Sequence, residues 1–231
     1  MAAELSGFVG SHTALSCYAT CPRQFYHKYV AKDAVREETP ALRHGREVHD
    51  AIKEAFDRSA PHHAPESARK LVKHILAQGG FQSEWKIGAT AEGAPCAFAA
   101  PGVYFRGIPD VVLVKGDEAV ILDWKTGKVR EDPSEIEGFA CLVKAHMPFI
   151  TQMSGFYVRL KSGELGAKHK LDWRKRWSTI QSDIASIRAA VGKACLPNLA
   201  EKNIWPMKPN GLCKNHCSAL KCPNNGRFRP S

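Results

Sequence analysis

Two short apolar runs stand out in the middle of the chain, one over residues 111–114 and the other over 119–122. Both runs are rich in β-branched residues, and the four residues between them favour a turn. This pattern predicts a β-hairpin in which Val114 pairs with Ala119. Apolar residues occupy both faces of the two strands, so we expect the hairpin to lie in the middle of a sheet that is covered on both sides.

Other segments of the chain show helical or strand periodicity. Apolar residues at helical spacing predict helices over 45–56 and 66–78, and a long helix with Asp172 as its N-cap. Residues 81–87 alternate apolar and polar side chains and are predicted to form a strand, whereas residues 152–160 are predicted to be helical. This mixture indicates an α/β fold, and a length of 231 residues suits a single domain.

Two aspartates and a lysine fall on one face of the predicted hairpin. Counting outward from the turn places Asp110 opposite Asp123, and Lys125 follows two residues later on the same face. Two carboxylates about 5 Å apart repel each other by about 3 kcal/mol at an effective dielectric constant of about 20, and a divalent cation between them reverses that penalty. The pattern therefore predicts a metal site with Lys125 beside it. The alternative is an aspartate–lysine ion pair on a solvated strand end.

The motif formed by these residues resembles a known signature. Gly-Ile-Pro-Asp over 107–110, followed by Asp-Trp-Lys-Thr-Gly over 123–127, is similar to the motif of the PD-(D/E)XK nucleases and in particular of their RecB-like branch. That branch includes nuclease domains of bacterial recombination helicase–nucleases, CRISPR-associated exonucleases and many phage exonucleases. The resemblance implies a restriction-endonuclease-like core, with a mixed central β-sheet flanked by helices. It also implies a metal-dependent DNA exonuclease that acts on ends or single strands.

The resemblance implies further groups at the metal site. His49 ends the segment Gly-Arg-Glu-Val-His, which is similar to the family's G-x-x-x-H motif, and would bind metal with Asp110, Asp123 and the backbone carbonyl of Trp124. Glu84 matches a glutamate that the family often places near the site, either on the metal or bridged to it by water. On its own, His49 would be a surface or structural histidine, and Glu84 part of a solvated strand face. The expected cofactor is Mg²⁺ or Mn²⁺, and the imidazole favours Mn²⁺ somewhat.

Gln152 resembles the glutamine of the family's QxxxY motif, which orients the lysine or the DNA. The resemblance therefore implies a catalytic role for Gln152 beside Asp110, Asp123 and Lys125. The tyrosine of the motif is displaced by one residue, because Phe156 stands four residues after the glutamine and the tyrosine comes one position later.

Three of the eight cysteines form a C-x3-C-x4-C segment near the C-terminal end, at Cys213, Cys217 and Cys222. The segment is similar to the cysteine triad of the iron–sulfur members of the family, which share a 4Fe-4S cluster with a cysteine of the first helix. Cys21, in the segment Cys-Pro-Arg-Gln-Phe-Tyr, matches that distant ligand, and Cys17 lies one helical turn before it.

The spacing departs from the family's usual C-x2-C-x5-C, and His216 stands where the middle cysteine normally falls. His216 is therefore an alternative ligand, and zinc is the alternative to the cluster because mixed cysteine and histidine ligands suit it. Free thiols are the third alternative. A metal bound by these cysteines would connect residues 1–30 to residues 205–231. Together these residues would form a cysteine-tied N- and C-terminal cap on the domain.

The formal net charge of +10 favours a polyanionic partner, and beside a phosphodiesterase motif DNA is the expected one. No apolar run approaches the ~20 residues needed to span a bilayer, and the N-terminal residues do not resemble a secretory signal. We therefore expect a cytoplasmic protein with no membrane contact. Two other classes of protein compete with the exonuclease. One is a non-catalytic nucleic-acid-binding module with a structural metal, and the other is an accessory subunit that acts with a helicase, recombinase or integrase.

Overall fold

The computed structural model describes residues 7–35, 37–128, 132–194 and 201–228. The chain divides into two compact units, of which the first joins Met1–Glu37 to Thr179–Ser231 and the second is Glu38–Ser178. The single domain over 1–231 stays a prediction. So does the cap, whose residues 1–6 and 229–231 lie outside the described ones.

The chain begins with two short helices and alternates helices and strands thereafter. In chain order the helices and strands are α1 (His12–Thr20), α2 (Pro22–Phe25), α3 (Pro40–Asp57), α4 (Glu66–Gln78), β1 (Phe81–Ser83), β2 (Ile87–Ala89), β3 (Pro95–Ala97), β4 (Phe105–Gly107), β5 (Val111–Lys115), β6 (Glu118–Lys125), α5 (Ser134–His146), β7 (Gln152–Arg159), β8 (Glu164–Leu165), β9 (His169–Lys170), α6 (Trp173–Ala194) and α7 (Glu201–Ile204). A π-helical turn follows α2 (Tyr26–Val30), and 3-10 turns occupy Pro61–His63 and Gly211–Cys213.

The second unit contains a mixed sheet. Its strands run in the order β1-β5-β6-β7-β8, and β9 also pairs with β7. Strands β6 and β7 are parallel, whereas the other neighbours are antiparallel. A parallel pair needs a long crossover, and helix α5 lies in the one between β6 and β7. A second, three-stranded sheet has the order β3-β2-β4.

The central hairpin has the predicted register. Val114 pairs with Ala119, and Lys115 pairs with Glu118 across a two-residue turn. Gly116 opens this turn with a φ of +60°, a conformation that glycine adopts without steric cost. The prediction of the strand pairing is therefore confirmed.

Helices cover both faces of the central sheet. Residues of α3 and α4, including Ile52, Phe56 and Val72, pack with Val111 and Leu122 on one face. On the other face, residues of α5 pack against the opposite side of the same two strands: Ile136, Phe139, Ala140 and Val143 against Val112, Ala119 and Ile121. Each fully buried aliphatic side chain contributes about 1.5–3 kcal/mol of transfer free energy. The flanked mixed sheet is the restriction-endonuclease-like arrangement that was expected.

Two predicted elements were wrong. A helix was predicted over 152–160, but residues 152–159 form strand β7, in which Met153 and Tyr157 enter one core and Val158 enters the other. Three consecutive apolar residues, at 156–158, break the alternation of apolar and polar positions that would have indicated a strand. The predicted strand over 81–87 is interrupted at Glu84, where β1 has ended and β2 has not begun.

The first unit contains helices and an aromatic cluster. Ser11 caps α1, since its hydroxyl accepts the backbone N–H of Ala14 at 3.3 Å. The fully buried ring of Phe25 stacks on that of Trp205, with centroids 5.9 Å apart. Thus residues from both ends of the chain share one small core. In the described part of the chain, none of the helices combines the length and apolar character that crossing a membrane requires.

Candidate active site

The candidate site lies where β5 begins and β6 ends. Asp110 directly precedes β5, and the hairpin register, which pairs Val111 with Leu122, brings it opposite Asp123 when extended by one residue. Both aspartates are buried, with exposed fractions of 7 % and 5 %. Burial of two facing carboxylates is unfavourable unless a cation accompanies them.

His49 projects from helix α3 toward the end of β6. Its Nε2 lies 3.1 Å from the carbonyl oxygen of Trp124, and its Nδ1 lies 3.3 Å from Oδ1 of Asp110. The other carboxylate oxygen of Asp110 accepts the backbone N–H of Trp124 at 2.7 Å. One aspartate therefore links the helix to the strand.

Glu84 reaches the same point through an unusual backbone conformation. Its φ is +46°, which is uncommon for a residue with a side chain, and its backbone N–H donates to the Asp110 carbonyl at 2.9 Å. Its carboxylate oxygen lies 3.8 Å from Nδ1 of His49. Strained backbone of this kind is typical of functional sites. This backbone conformation directs the side chain of Glu84 toward His49. The side-chain alternation of a regular strand would not do so.

Lys125 is held by acids from two elements. Its Nζ lies 2.7 Å from Oδ2 of Asp123 and 2.7 Å from Oε2 of Glu135, which is on the first turn of α5. The ring of Tyr157 lies 5.4 Å from the ammonium, and its hydroxyl donates to the Asp132 carbonyl at 2.7 Å. The ammonium is thus fixed at the end of β6.

The electrostatics of these groups follow from the contacts. Hydrogen bonding to Asp110, and then to Glu84, raises the pKa of His49 to about 10. Burial, reinforced by Asp110, raises the pKa of Asp123 to about 8. Burial would lower the pKa of Lys125, but Asp123 and Glu135 more than offset it and raise that pKa above its ordinary value. Excess negative charge therefore collects around this end of the sheet.

Three of these side chains could hold a metal ion together. One ligand atom each from His49, Glu84 and Asp110 lies within 4.8 Å of the others. Two carboxylate oxygens and one imidazole nitrogen are donors that fit Mn²⁺ or Mg²⁺. The structure thus brings together most of the residues expected at the site, with Glu84 closer to its centre than the sequence suggested.

Gln152 is the exception among the expected site residues. It is exposed at the start of β7 and pairs with Glu118, whereas Lys125 pairs with Arg159 at the far end of the same ladder. Seven residues of strand separate the two positions, a distance of roughly 23 Å. Gln152 therefore does not lie beside Lys125, because the segment is a strand that starts away from the site, and a catalytic role of this glutamine on the DNA stays a prediction.

Sequence reasoning missed Glu135. A signal was present, since Glu135 and Phe139 have the same spacing as the glutamine and tyrosine of the motif to which Gln152 was matched. They also lie on the first helix after the Asp-x-Lys strand.

The cysteines of the first unit also lie close together. Cys21, Cys217 and Cys222 are buried and Cys213 is half-buried, whereas His216 is exposed. Burial raises the pKa of the Cys217 thiol, and the neighbouring thiols of Cys213, Cys222 and Cys21 raise it further. Cys217 is therefore better placed than His216 to bind a metal together with the other three cysteines.

Backbone amides point at two of these sulfurs. The N–H of Lys208 donates to Sγ of Cys21 at 3.5 Å, and the N–H of Asn210 donates to Sγ of Cys213 at 3.4 Å. The Asn225 amide holds the intervening loop by donating to the Cys217 and Ala219 carbonyls at 3.0 and 2.9 Å. Amide donors of this kind stabilise thiolate ligands.

The chain is similar to a known protein family and to solved structures. The model of the PD-(D/E)XK nuclease superfamily matches residues 10–222. A crystal structure from Eubacterium rectale, provisionally described as an exonuclease, aligns at 10 % identity with a TM-score of 0.49, over 87 % of this chain and 88 % of that one. The crystal structure of SSO0001 aligns at 11 % identity with a TM-score of 0.45, over 99 % and 93 % of the two chains. Among proteins of curated function, none matches this chain in sequence. Because the family match covers most of its length, the chain belongs to the PD-(D/E)XK nuclease superfamily.

Proposed function

We propose that this chain is a metal-dependent deoxyribonuclease of the RecB-like kind, which degrades DNA as an exonuclease from ends or on single strands. The observation that carries the proposal is the convergence of His49, Glu84 and Asp110, whose ligand atoms lie within 4.8 Å of one another. Lys125 is fixed nearby by its ion pair with the buried Asp123. The net charge of +10 suits a DNA substrate.

A bound Mg²⁺ or Mn²⁺ would lower the pKa of a coordinated water and offset negative charge at the phosphate. The carboxylates of Asp110, Glu84 and Asp123, the imidazole of His49 and the Trp124 carbonyl are the groups that would hold it. His49 must release the proton that faces Asp110 before its nitrogen can bind a cation.

Lys125 acts as a cation and a hydrogen-bond donor. Asp123 and Glu135 raise its pKa, which favours the protonated ammonium. It would orient the attacking water and neutralise charge that develops on the phosphate oxygens. Asp123 and Glu135 would hold the Lys125 ammonium in the position that this role requires.

The cysteine group would carry a second cofactor. Cys21, Cys213, Cys217 and Cys222 would hold a 4Fe-4S cluster, with zinc as the alternative. A brown protein that absorbs near ~400 nm after anaerobic purification would support the cluster. A colourless protein with stoichiometric zinc would exclude it.

The nuclease proposal is tested with purified protein, Mg²⁺ or Mn²⁺, and end-labelled single- and double-stranded DNA. We expect metal-dependent release of short products, and loss of it in Asp123→Ala and Lys125→Ala proteins that still bind DNA. Asp57→Ala, at an exposed position at the end of α3, is the control that is purified in parallel and should cleave normally. Wild-type cleavage by Asp123→Ala would overturn the assignment. Binding without any cleavage by the wild-type chain would favour a non-catalytic module, or a subunit that needs a helicase, recombinase or integrase.

A further inference from the structure

A cavity of about 280 Å³ opens beside the candidate metal site, at the carboxyl ends of the parallel strands β6 and β7. It is lined by the helices α3 and α4 and by the residues that follow the two strands: His44, Val48, Ser67, Thr126, Leu160 and Lys161. The carboxyl ends of parallel strands are where α/β sheets commonly bind ligands. The mechanism described above makes no use of this cavity.

Two residues that line the cavity are sequence neighbours of residues at the metal site. Val48 precedes the ligand candidate His49, and Thr126 follows Lys125. The N–H of Leu160 donates to the carbonyl of Lys125 at 3.0 Å, which ties the cavity wall to the end of β6. On α3 the cavity residue Val48 is thus directly next to a candidate metal ligand, and at the end of β6 only Lys125 separates Thr126 from Trp124.

The lining has the chemistry of a nucleoside site. Val48 and Leu160 supply an apolar wall, as the face of a base requires, and Thr126 supplies a hydroxyl that can bond a sugar or phosphate oxygen. His44 and Lys161 are exposed at the rim, where the ammonium group of Lys161 suits a phosphate. Among the residues that the structure describes, none that lines the cavity carries a carboxylate, although several acids lie at the neighbouring metal site.

We propose that this cavity receives the terminal nucleotide of a DNA strand whose adjoining phosphate lies at the metal site, an inference that rests on the proposed nuclease function. A volume of about 280 Å³ accommodates one nucleoside and is too small for a base pair. The terminal base must therefore be unpaired and unstacked before it enters. The substrate class is a single-stranded end, or a duplex end that frays.

The test uses equilibrium binding, so that it does not depend on cleavage. Fluorescence anisotropy in EDTA would follow three internally labelled single-stranded 12-mers. One is intact, one lacks the base of its 5′-terminal nucleotide, and one lacks the base of its 3′-terminal nucleotide. Loss of the buried base should weaken binding of one of the two abasic strands by roughly five- to tenfold, since apolar surface is no longer removed from water. Which strand is weakened identifies the end that the protein holds.

Variants then assign the effect to the cavity. Ser67→Trp fills it and should bind all three strands equally, at the affinity of the weakened one. Ala77→Trp, at an exposed position on the same helix, is the matched control and should keep the wild-type difference. Lys161→Met should weaken all three strands by a similar factor, because it removes charge without touching the base site.

The proposal is overturned if wild-type protein binds the three strands with equal affinity, or binds none of them. It is also overturned if folded Ser67→Trp still distinguishes them. The wild-type comparison needs no variant, so misfolding of Ser67→Trp leaves a decisive measurement. Failure of the nuclease function would look different. Base discrimination would then persist in a wild-type protein that cleaves no DNA with Mg²⁺ or Mn²⁺.

Discussion

Oε2 of Glu135 lies 2.7 Å from Nζ of Lys125, and the two residues come from a helix and a strand that meet only in the folded protein. The lysine is thereby held between Glu135 and Asp123. Its ammonium has two fixed partners and little freedom to turn from the site. Glu135 is a positioning residue in this arrangement, since it acts through Lys125.

Replacing Glu135 should reduce turnover more than binding. We expect Glu135→Ala to lower kcat by about ten- to a hundredfold with a small change in KM, the range typical of residues that orient a catalytic group. Glu135→Gln should recover most of the activity, because an amide oxygen can still accept from Lys125. Glu137→Ala, on the same helical turn, is the control. A merely structural role would predict equal loss of thermal stability in Glu135→Ala and Glu135→Gln, with no selective effect on kcat.

The three candidate ligands should govern metal affinity. His49→Ala, Glu84→Gln and Asp110→Asn should each weaken Mn²⁺ binding by at least about tenfold, since each removes one donor from the group. Titration calorimetry or the Mn²⁺ paramagnetic resonance signal would measure this. Gln152→Ala should bind Mn²⁺ as the wild type does, because it lies at the opposite end of β7. An unchanged affinity in Glu84→Gln would remove Glu84 from the site.

The metal-free protein should lose stability as the pH rises. The pKa of Asp123 is raised to about 8 in the folded state, so between about pH 4 and 8 unfolding releases a proton and becomes easier. The pKa of His49 is raised to about 10, and its stabilising contribution is present below about pH 6.5 and lost as the pH rises through 10. Both groups therefore lower the free energy of unfolding as the pH rises.

Thermal melts in EDTA at pH 6 and pH 9 would measure this loss. We expect Tm to fall by roughly 5 °C or more in the wild type and by less in Asp123→Asn. The exposed substitution Asp57→Asn is the control. Mn²⁺ should raise Tm more at pH 9 than at pH 6, because the carboxyl group of Asp123 is then deprotonated. A Tm that rises with pH in EDTA would contradict the expectation.

The cysteine variants should separate ligands from bystanders. Cys21→Ser and Cys217→Ser should lose the bound iron or zinc and lower Tm, because metal binding contributes directly to folding. Cys17→Ser and Cys96→Ser should retain it. Metal content by mass spectrometry and the visible spectrum would report the result. Retention of full metal content in Cys21→Ser would move the distant ligand to Cys17.

The sequence by itself determined the central hairpin and the face on which Asp110, Asp123 and Lys125 lie. These features are local, because a short turn and the alternation of side chains set the register of two adjacent strands. The two apolar faces were predictable for the same reason. His49 was predictable only through its motif, since 75 residues separate it from Trp124.

Only the tertiary structure decided the remaining parts of the site. Glu84 was expected there only through the family resemblance, and its position depends on a backbone turn that interrupts an alternating pattern. Glu135 joins the site because the crossover helix α5 returns to the end of β6. Strand β7 was hidden because three consecutive apolar residues, at 156–158, break the alternation of its pattern. The cavity at its end is formed by segments that are distant in the chain. Such features depend on how the helices pack on the sheet. The local preferences of residues for helix or strand do not determine that packing.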